Sequence, residues 1–487
     1  MLIPFLVFNI TRKIPLRRAI IIPCKPVHCN VYMCAPFASC SFALTLNLIS
    51  SLSQVQTRDT MKLSLLLLSV AGALASSIRR STTKLSLVTR NGTTLLVDGK
   101  VWKTVGPNVY WLGLDENVTP PAGEPFYAPT RASYPTKERI TEVMATVQAL
   151  GGTMIRGHTL GISVGNPLSV WPEPGVVNER AFEPIDWAVY QAGVYGVRLL
   201  VPLIDNYDYY HGGKYNFLRW GGFDLNQKRD EKNPLVQQFY TNATIVNTFK
   251  DYIKTIITHR NQYTNLTFAE DPTIFAYETG NELLGPIWGD MNSPADWVQD
   301  IAKYVKSLAP QKLVVDGTYG INKTHLSIEE VDIFSDHMYP VDTAKLQEDI
   351  KLVEAAGRPF FAGEYDWVGG NTANLQSMFK IIEESPVAIG DTFWSQFGHN
   401  APDCTTYVDH SDGLALQYGN PKNTANQNSR IQLIRKHFIA MSQGREIAPD
   451  EALPAVPCPA PTSTVISVKS HKTPIVVGMA LDLFDSN

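Results

Sequence analysis

Two short apolar runs in this chain each end in a glutamate. Thr273-Ile274-Phe275-Ala276-Tyr277-Glu278-Thr279-Gly280-Asn281-Glu282 has β-like character and closes on an Asn-Glu pair, and Arg358-Pro359-Phe360-Phe361-Ala362-Gly363-Glu364 closes on a second glutamate. Two carboxyl groups about 5 to 5.5 Å apart are what hydrolysis of a glycosidic bond with retention requires, one to protonate the leaving oxygen and one to attack the anomeric carbon. Glu278 shares its side-chain parity with Glu282 on a period-two strand, which makes it the fallback proton donor. Other hydrolytic chemistries find less support. Gly161-Ile162-Ser163-Val164-Gly165 matches Gly-x-Ser-x-Gly formally, but the strand before it ends near Arg156 and Asn166-Pro167 opposes a helix after it, so it reads as a loop. A zinc hydrolase would need His-Glu-x-x-His, which is missing.

Something must bring the two glutamates together. Between about residues 95 and 445 short β-rich runs alternate with amphipathic stretches, the pattern of repeated βα units around a parallel sheet. Eight strand candidates end near Tyr110, Arg156, Leu203, Glu282, Asp316, Tyr339, Glu364 and Trp394, which predicts an α/β fold, a (β/α)8 TIM barrel forming a single catalytic domain. Ile140, Val143, Met144, Val147 and Leu150 form one helical face that Gly151-Gly152 ends, and similar faces run through Phe249 to His259, Trp297 to Leu308 and Ile431 to Met441. Val197 to Leu203 is apolar enough to be buried on both faces. The longest insertion, Asn206 to about Pro234, is rich in Tyr, Trp and Gly and lies where barrels build their sites, so it is expected to shape a cleft.

The ends of the chain read as processing signals and tail. Met61-Lys62, the apolar run Leu63 to Leu74 and the small-residue site Ala73-Leu74-Ala75 make residues 61–75 a secretory signal peptide. Residues 1–60 then read as mistranslated upstream sequence or an extended leader, 76–94 as a short pro or linker segment, and 446–487 as a Pro/Ser/Thr-containing tail. Without residues 1–75, which carry seven Lys/Arg and one Asp, the formal charge moves from −4 to about −10, which argues against nucleic acid as a partner. Four of the six cysteines fall in the upstream segment. The remaining two, Cys404 and Cys458, are compatible with a disulfide that ties the tail to the body in an oxidising compartment. Sequons at Asn91, Asn117, Asn242, Asn265 and Asn322 fit passage through a eukaryotic secretory pathway. No membrane partner is expected after signal cleavage.

The chain also resembles glycoside hydrolase family 5, and within it the fungal and plant endo-β-1,4-mannanases, over roughly residues 84–440. The residues that carry the resemblance are Asn108-Val109-Tyr110-Trp111, Arg156, Asn206, Asn281-Glu282, His337-Met338-Tyr339, Glu364 and Trp394, each after its own strand. The segment from Phe239 through Asp251 to Ala276 is most like the mannanase branch.

The resemblance implies Glu282 as general acid/base and Glu364 as nucleophile, with Arg156 and Tyr339 keeping Glu364 ionised and the Glu364 charge raising the pKa of Glu282. It implies Asn281 at the sugar 2-hydroxyl, Trp394 as a stacking floor and His337 ordering the polar network beneath. Trp111, Tyr209, Tyr210 and Trp220 are candidate sugar platforms, Trp111 first among them. Asp205, Asp208 and Asp336 read as site-lining or structural carboxylates. In one departure Leu283-Leu284-Gly285-Pro286 follows the Asn-Glu pair, where family mannanases carry proline and a nearby arginine.

The reading is therefore a secreted, cofactor-free, monomeric enzyme that holds no metal and cleaves mannan-type β-linked polysaccharide. Exo-acting β-mannosidase and β-1,4-glucanase are the alternatives within the class, and a catalytically silent polysaccharide-binding barrel is the alternative outside it.

Overall fold

The structure, a computed structural model, describes residues 85–118, 132–223, 225, 232–289, 291–448 and 451–459. The upstream segment, the signal peptide and the tail past residue 459 lie outside the described residues.

Eight parallel strands form the central sheet: β4 (Thr104–Pro107), β5 (Met154–Arg156), β6 (Arg198–Pro202), β7 (Ile274–Glu278), β8 (Leu313–Asp316), β9 (Ile333–Met338), β10 (Phe360–Asp366) and β11 (Ala388–Trp394). They pair in the order β4-β11-β10-β9-β8-β7-β6-β5. The two free edges meet where Thr153 donates to the Val105 carbonyl at 2.7 Å and Val109 to the Arg156 carbonyl at 3.0 Å, which closes the ring. Closure brings backbones close: a Cβ on Gly106 would stand 1.8 Å from the Met154 carbonyl oxygen, so only glycine fits. The barrel is the one the eight apolar runs predicted.

Helices cover the outside: α1 (Lys137–Leu150), α2 (Phe182–Tyr195), α3 (Lys214–Trp220), α4 (Ala243–Thr258), α5 (Ala295–Leu308), α6 (Thr343–Ala355), α7 (Thr372–Glu384) and α8 (Ala425–Gln443). Local signals set several of the boundaries. Thr136 caps α1 by accepting from the Arg139 N–H, Gly151 ends it at φ 80°, and Ile140, Val143, Met144, Val147 and Leu150 are buried as their spacing predicts. Asn242 caps α4 by accepting from Thr244 and Ile245, and Ile245, Phe249, Ile253 and Ile256 face the barrel. No helix follows β8, where residues 317–332 run as turns instead.

Ahead of the barrel, β1 (Val88–Asn91), β2 (Thr94–Val97) and β3 (Lys100–Trp102) form a small antiparallel sheet. Val88 and Leu95 pack on Met154, Leu200, Phe275, Leu313, Ile333, Phe361 and Ile389, a set dominated by the N-terminal halves of the barrel strands, so this sheet plugs the bottom. Residues 88–94, expected as linker, are thus part of the folded domain. At the other end of the chain, Cys404 and Cys458 form the expected disulfide, with Cα atoms 5.8 Å apart. Tyr418 and Arg435 hold the same segment through Pro454 and Glu451.

Candidate active site

The upper rim of the barrel holds a cleft of about 710 Å³ lined by Tyr110, Glu116, His158, Asp205, Tyr207, Tyr209, His211, Asn281, Glu282, Tyr319, Tyr339, Glu364 and Trp394, among others. One oxygen of Glu282, one of Glu364 and a ring nitrogen of His337 all lie within 4.8 Å of one another. The two glutamates singled out in the sequence therefore meet, in reach of the separation that retention requires.

Each is fixed from several sides. Glu364, near the end of β10, accepts from Arg156 Nη1 at 2.6 Å and from the Tyr339 hydroxyl at 2.9 Å, and His158 Nε2 stands 3.3 Å away. Burial pushes its carboxyl above the ordinary value and the Glu282 charge adds to the rise, while Arg156 and the Tyr339 hydrogen bond oppose it. Glu282 accepts from Tyr207 at 2.7 Å on one oxygen, while its other oxygen lies 2.7 Å from His337 Nδ1. Burial is the main force that lowers the pKa of His337 to about 4, so the ring is neutral near pH 7 and acts as a hydrogen-bonding group, not a charge.

The backbone at Glu282 differs from the expected strand end. β7 stops at Glu278, and Glu282 adopts φ 51°, in the left-handed region that costs a non-glycine residue about 1 kcal/mol or more. Neighbouring ladders hold the turn: Asn281 donates to the Ile204 carbonyl, and Leu283 to that of Gly317. The outcome separates the two glutamates of this segment. Glu278, the fallback proton donor, is fully buried below the cleft and receives Arg156 Nε at 2.8 Å. Burial raises its pKa to about 7 against the pull of Arg156.

Arg156 is the hub of the site. It is fully buried and reaches Glu278, Glu364, Asn108 Oδ1 and Asn281 Oδ1. Burial works against its charge, but Glu278 and Glu364 outweigh that and hold the guanidinium above its ordinary pKa. Because Arg156 fixes the carbonyl of Asn281, the amide NH2 of Asn281 is turned toward Asp205 and the cleft.

Of the other predicted residues, Tyr339 and Trp394 line the cleft, and Trp394 donates to Asp412 at 2.7 Å while stacking on Tyr110 at 5.3 Å. Two expectations need correction. Trp111 is fully buried, donates to the Gln396 carbonyl and packs under Arg139 at 4.2 Å, so it is a core residue and no sugar platform. Asn206 is also fully buried and receives Lys214, and what it contributes is its backbone N–H, 3.1 Å from the Asn281 carbonyl. Asp205 lines the cleft; Asp208 pairs with Arg219, and Asp336 pairs with Lys345 away from it. Tyr209 lines the cleft, Tyr210 donates to the Leu114 carbonyl, and Trp220 packs on Phe217.

Tyr207, His158, His211 and Tyr319 were not anticipated. For two of them a signal existed: Asp205, Tyr207, Tyr209 and His211, all of which line the cleft, stand at every second position of the insertion.

Comparison with known proteins agrees with the fold. A family profile described as "GH family 5 beta-mannosidase-like" matches residues 86–342, more than half of the chain. Mannan endo-1,4-beta-mannosidase 1 of Arabidopsis thaliana is 27% identical over 61% of this chain and 70% of that protein. Mannan endo-1,4-beta-mannosidase 2 of Oryza sativa subsp. japonica is 30% identical over 54% of each, so the match spans about half of that relative's length. Among solved structures, the endo-beta-1,4-mannanase from Thermotoga petrophila aligns over 72% of this chain and 79% of its own, with a TM-score of 0.57 at 23% identity. The endo-1,4-beta-mannanase from Rhizomucor miehei aligns over 74% of this chain and all of its own, with a TM-score of 0.56 at 20% identity. These two likenesses speak for the barrel, and with the profile match over residues 86–342 the chain belongs to glycoside hydrolase family 5, in its beta-mannosidase-like group.

Proposed function

We propose that this chain is a secreted retaining β-glycoside hydrolase that cleaves β-1,4-mannan internally by double displacement. The observation that carries the reading is the approach of Glu282 and Glu364 to within 4.8 Å at the barrel rim, with Arg156 and Tyr339 both donating to Glu364. Glu364, held as a carboxylate, attacks the anomeric carbon while Glu282 gives its proton to the leaving oxygen. Glu282, now ionised, then takes a proton from water, whose oxygen displaces Glu364 from the sugar. In this reading the Asn281 amide donates to the 2-hydroxyl, and Trp394 gives the ring a flat apolar face.

Mannan is preferred because the relatives named above are mannan endo-1,4-beta-mannosidases. Internal cleavage is supported by a second compartment of about 770 Å³ that shares Glu116, Tyr209, His410 and Ser411 with the cleft, which leaves room for more than one sugar. Secretion is supported by the leader at residues 61–75 and the Cys404–Cys458 bridge. Among the described residues no helix is long and apolar enough to cross a membrane. Sequons Asn91 and Asn265 are exposed, whereas Asn322 is buried with its amide against His325.

Product analysis on galactomannan, mannohexaose and carboxymethyl-cellulose, beside Glu364→Ala, tests the proposal. A mixture of short manno-oligosaccharides that the variant does not produce is expected. Mannose or mannobiose alone would contradict internal cleavage, and activity on the glucan only would contradict the substrate.

A further inference from the structure

We infer that Tyr207, on the insertion after β6, is a positioning residue for the general acid, holding the Glu282 carboxylate as it forms. The inference rests on the double-displacement reading above and adds to it a role for a residue outside the barrel strands.

Tyr207 is placed with little freedom. It is 8% exposed, its backbone N–H donates to Asp205 Oδ1 at 3.0 Å, and the other oxygen of Asp205 is engaged by His211 at 2.9 Å. Its ring lies against Tyr209 and Trp288, and its hydroxyl reaches Glu282 Oε2 at 2.7 Å. Burial and the Glu282 charge both raise the phenol above its ordinary pKa, so it keeps its proton and can only donate to a carboxylate. The other groups that face Glu282 are His337 from β9, Glu364 from β10, and Arg156, Tyr319 and Tyr339 through their charges or dipoles.

In the first step the bond from the anomeric carbon to the leaving oxygen breaks, the proton passes from Glu282 to that oxygen, and Glu364 becomes an ester. One negative charge therefore moves from Glu364 to Glu282. A hydroxyl that donates to Glu282 strengthens its bond as this charge arrives, which lowers the barrier most when the leaving group most needs a proton. In the second step Glu282 takes a proton back from water and the bond weakens, so the same hydroxyl gives no help there.

Tyr207→Phe keeps the ring and removes only the donor. With a series of aryl β-mannobiosides, kcat/KM is expected to fall about tenfold for the poorest leaving group and to stay within about twofold for dinitrophenolate, which leaves without a proton. The alkaline limb of the pH profile should move up by about one unit while the acidic limb stays. An equal loss across the series, or an unmoved alkaline limb, overturns the inference.

A titration of the Glu282 carboxyl by carbon NMR, which needs no substrate, keeps the test independent of the assigned activity. A higher midpoint in Tyr207→Phe supports the hydrogen bond, and an unchanged midpoint overturns it. Wild-type protein inactive on every mannobioside would instead count against the proposed function.

Discussion

Removing the hydroxyl of Tyr339 should move the acidic limb of activity. That hydroxyl donates to Glu364 Oε2 at 2.9 Å, while Arg156 Nη1 holds Oε1 at 2.6 Å. A hydrogen bond to a charged group contributes about 1.5 to 3 kcal/mol. One unit of pKa corresponds to 1.36 kcal/mol, so losing the donor should raise the Glu364 pKa by about 1 to 2 units. The sign follows from the chemistry: the nucleophile must be ionised, burial already pushes it upward, and Tyr339 opposes that rise. Activity that wild type keeps at mildly acidic pH should therefore be lost at higher pH in Tyr339→Phe.

The assay is kcat/KM against pH, which reports the free enzyme, and the midpoint of the acidic limb is the readout. The plateau is less informative, because it also senses how Glu364 is aimed. An unmoved acidic limb, with the plateau high or low, would show that Tyr339 does not set the charge of the nucleophile.

Three further outcomes follow. His437 is buried between Asp391 and Glu383, each 2.7 Å away, and these partners overcome burial to raise its pKa to about 9. A pKa raised from 6.5 stabilises the fold fully below pH 6.5 and is lost as pH rises through about 9, so His437→Gln should cost roughly 3 kcal/mol more at pH 6 than at pH 10 in urea unfolding; a pH-independent cost would refute this. Cys404→Ser opens a bridge between residues 54 apart and should lower stability by about 4 kcal/mol in thermal or urea unfolding, with activity at low temperature unchanged. Trp111→Ala should destabilise by about 3 to 5 kcal/mol, whereas Trp394→Ala should keep its melting temperature and lose about tenfold in kcat/KM; the reverse pattern would restore Trp111 as a sugar platform.

The sequence made the barrel legible because strands buried on both faces read as continuous apolar runs, and β6, buried along its whole length, is the plainest case. The N-terminal sheet begins in the segment expected as linker, although its two turns carry strong hairpin signals: Asn91-Gly92 and Asp98-Gly99, with positive φ at Gly92, Asp98 and Gly99. Glu282, Glu364, Arg156, Tyr339 and Trp394 came together as read, since each sits on or just past its own strand. Trp111 did not, because its fate depends on Arg139 and Gln396, distant in sequence and adjacent only once the barrel closes. Glu278 and Glu282 do not share the side-chain parity expected of one strand, because the strand ends at Glu278 and the left-handed turn at Glu282 re-aims the second carboxyl.

Trapping the glycosyl-enzyme intermediate decides whether Glu364 is the nucleophile. A 2-deoxy-2-fluoro-β-mannosyl fluoride slows both steps but leaves readily, so a retaining enzyme accumulates its glycosyl ester, which peptide mass mapping can locate. One fluoromannosyl group is expected, carried by the peptide that contains Glu364. A label on another carboxylate, or turnover of a mannan substrate with inverted anomeric configuration, would contradict it.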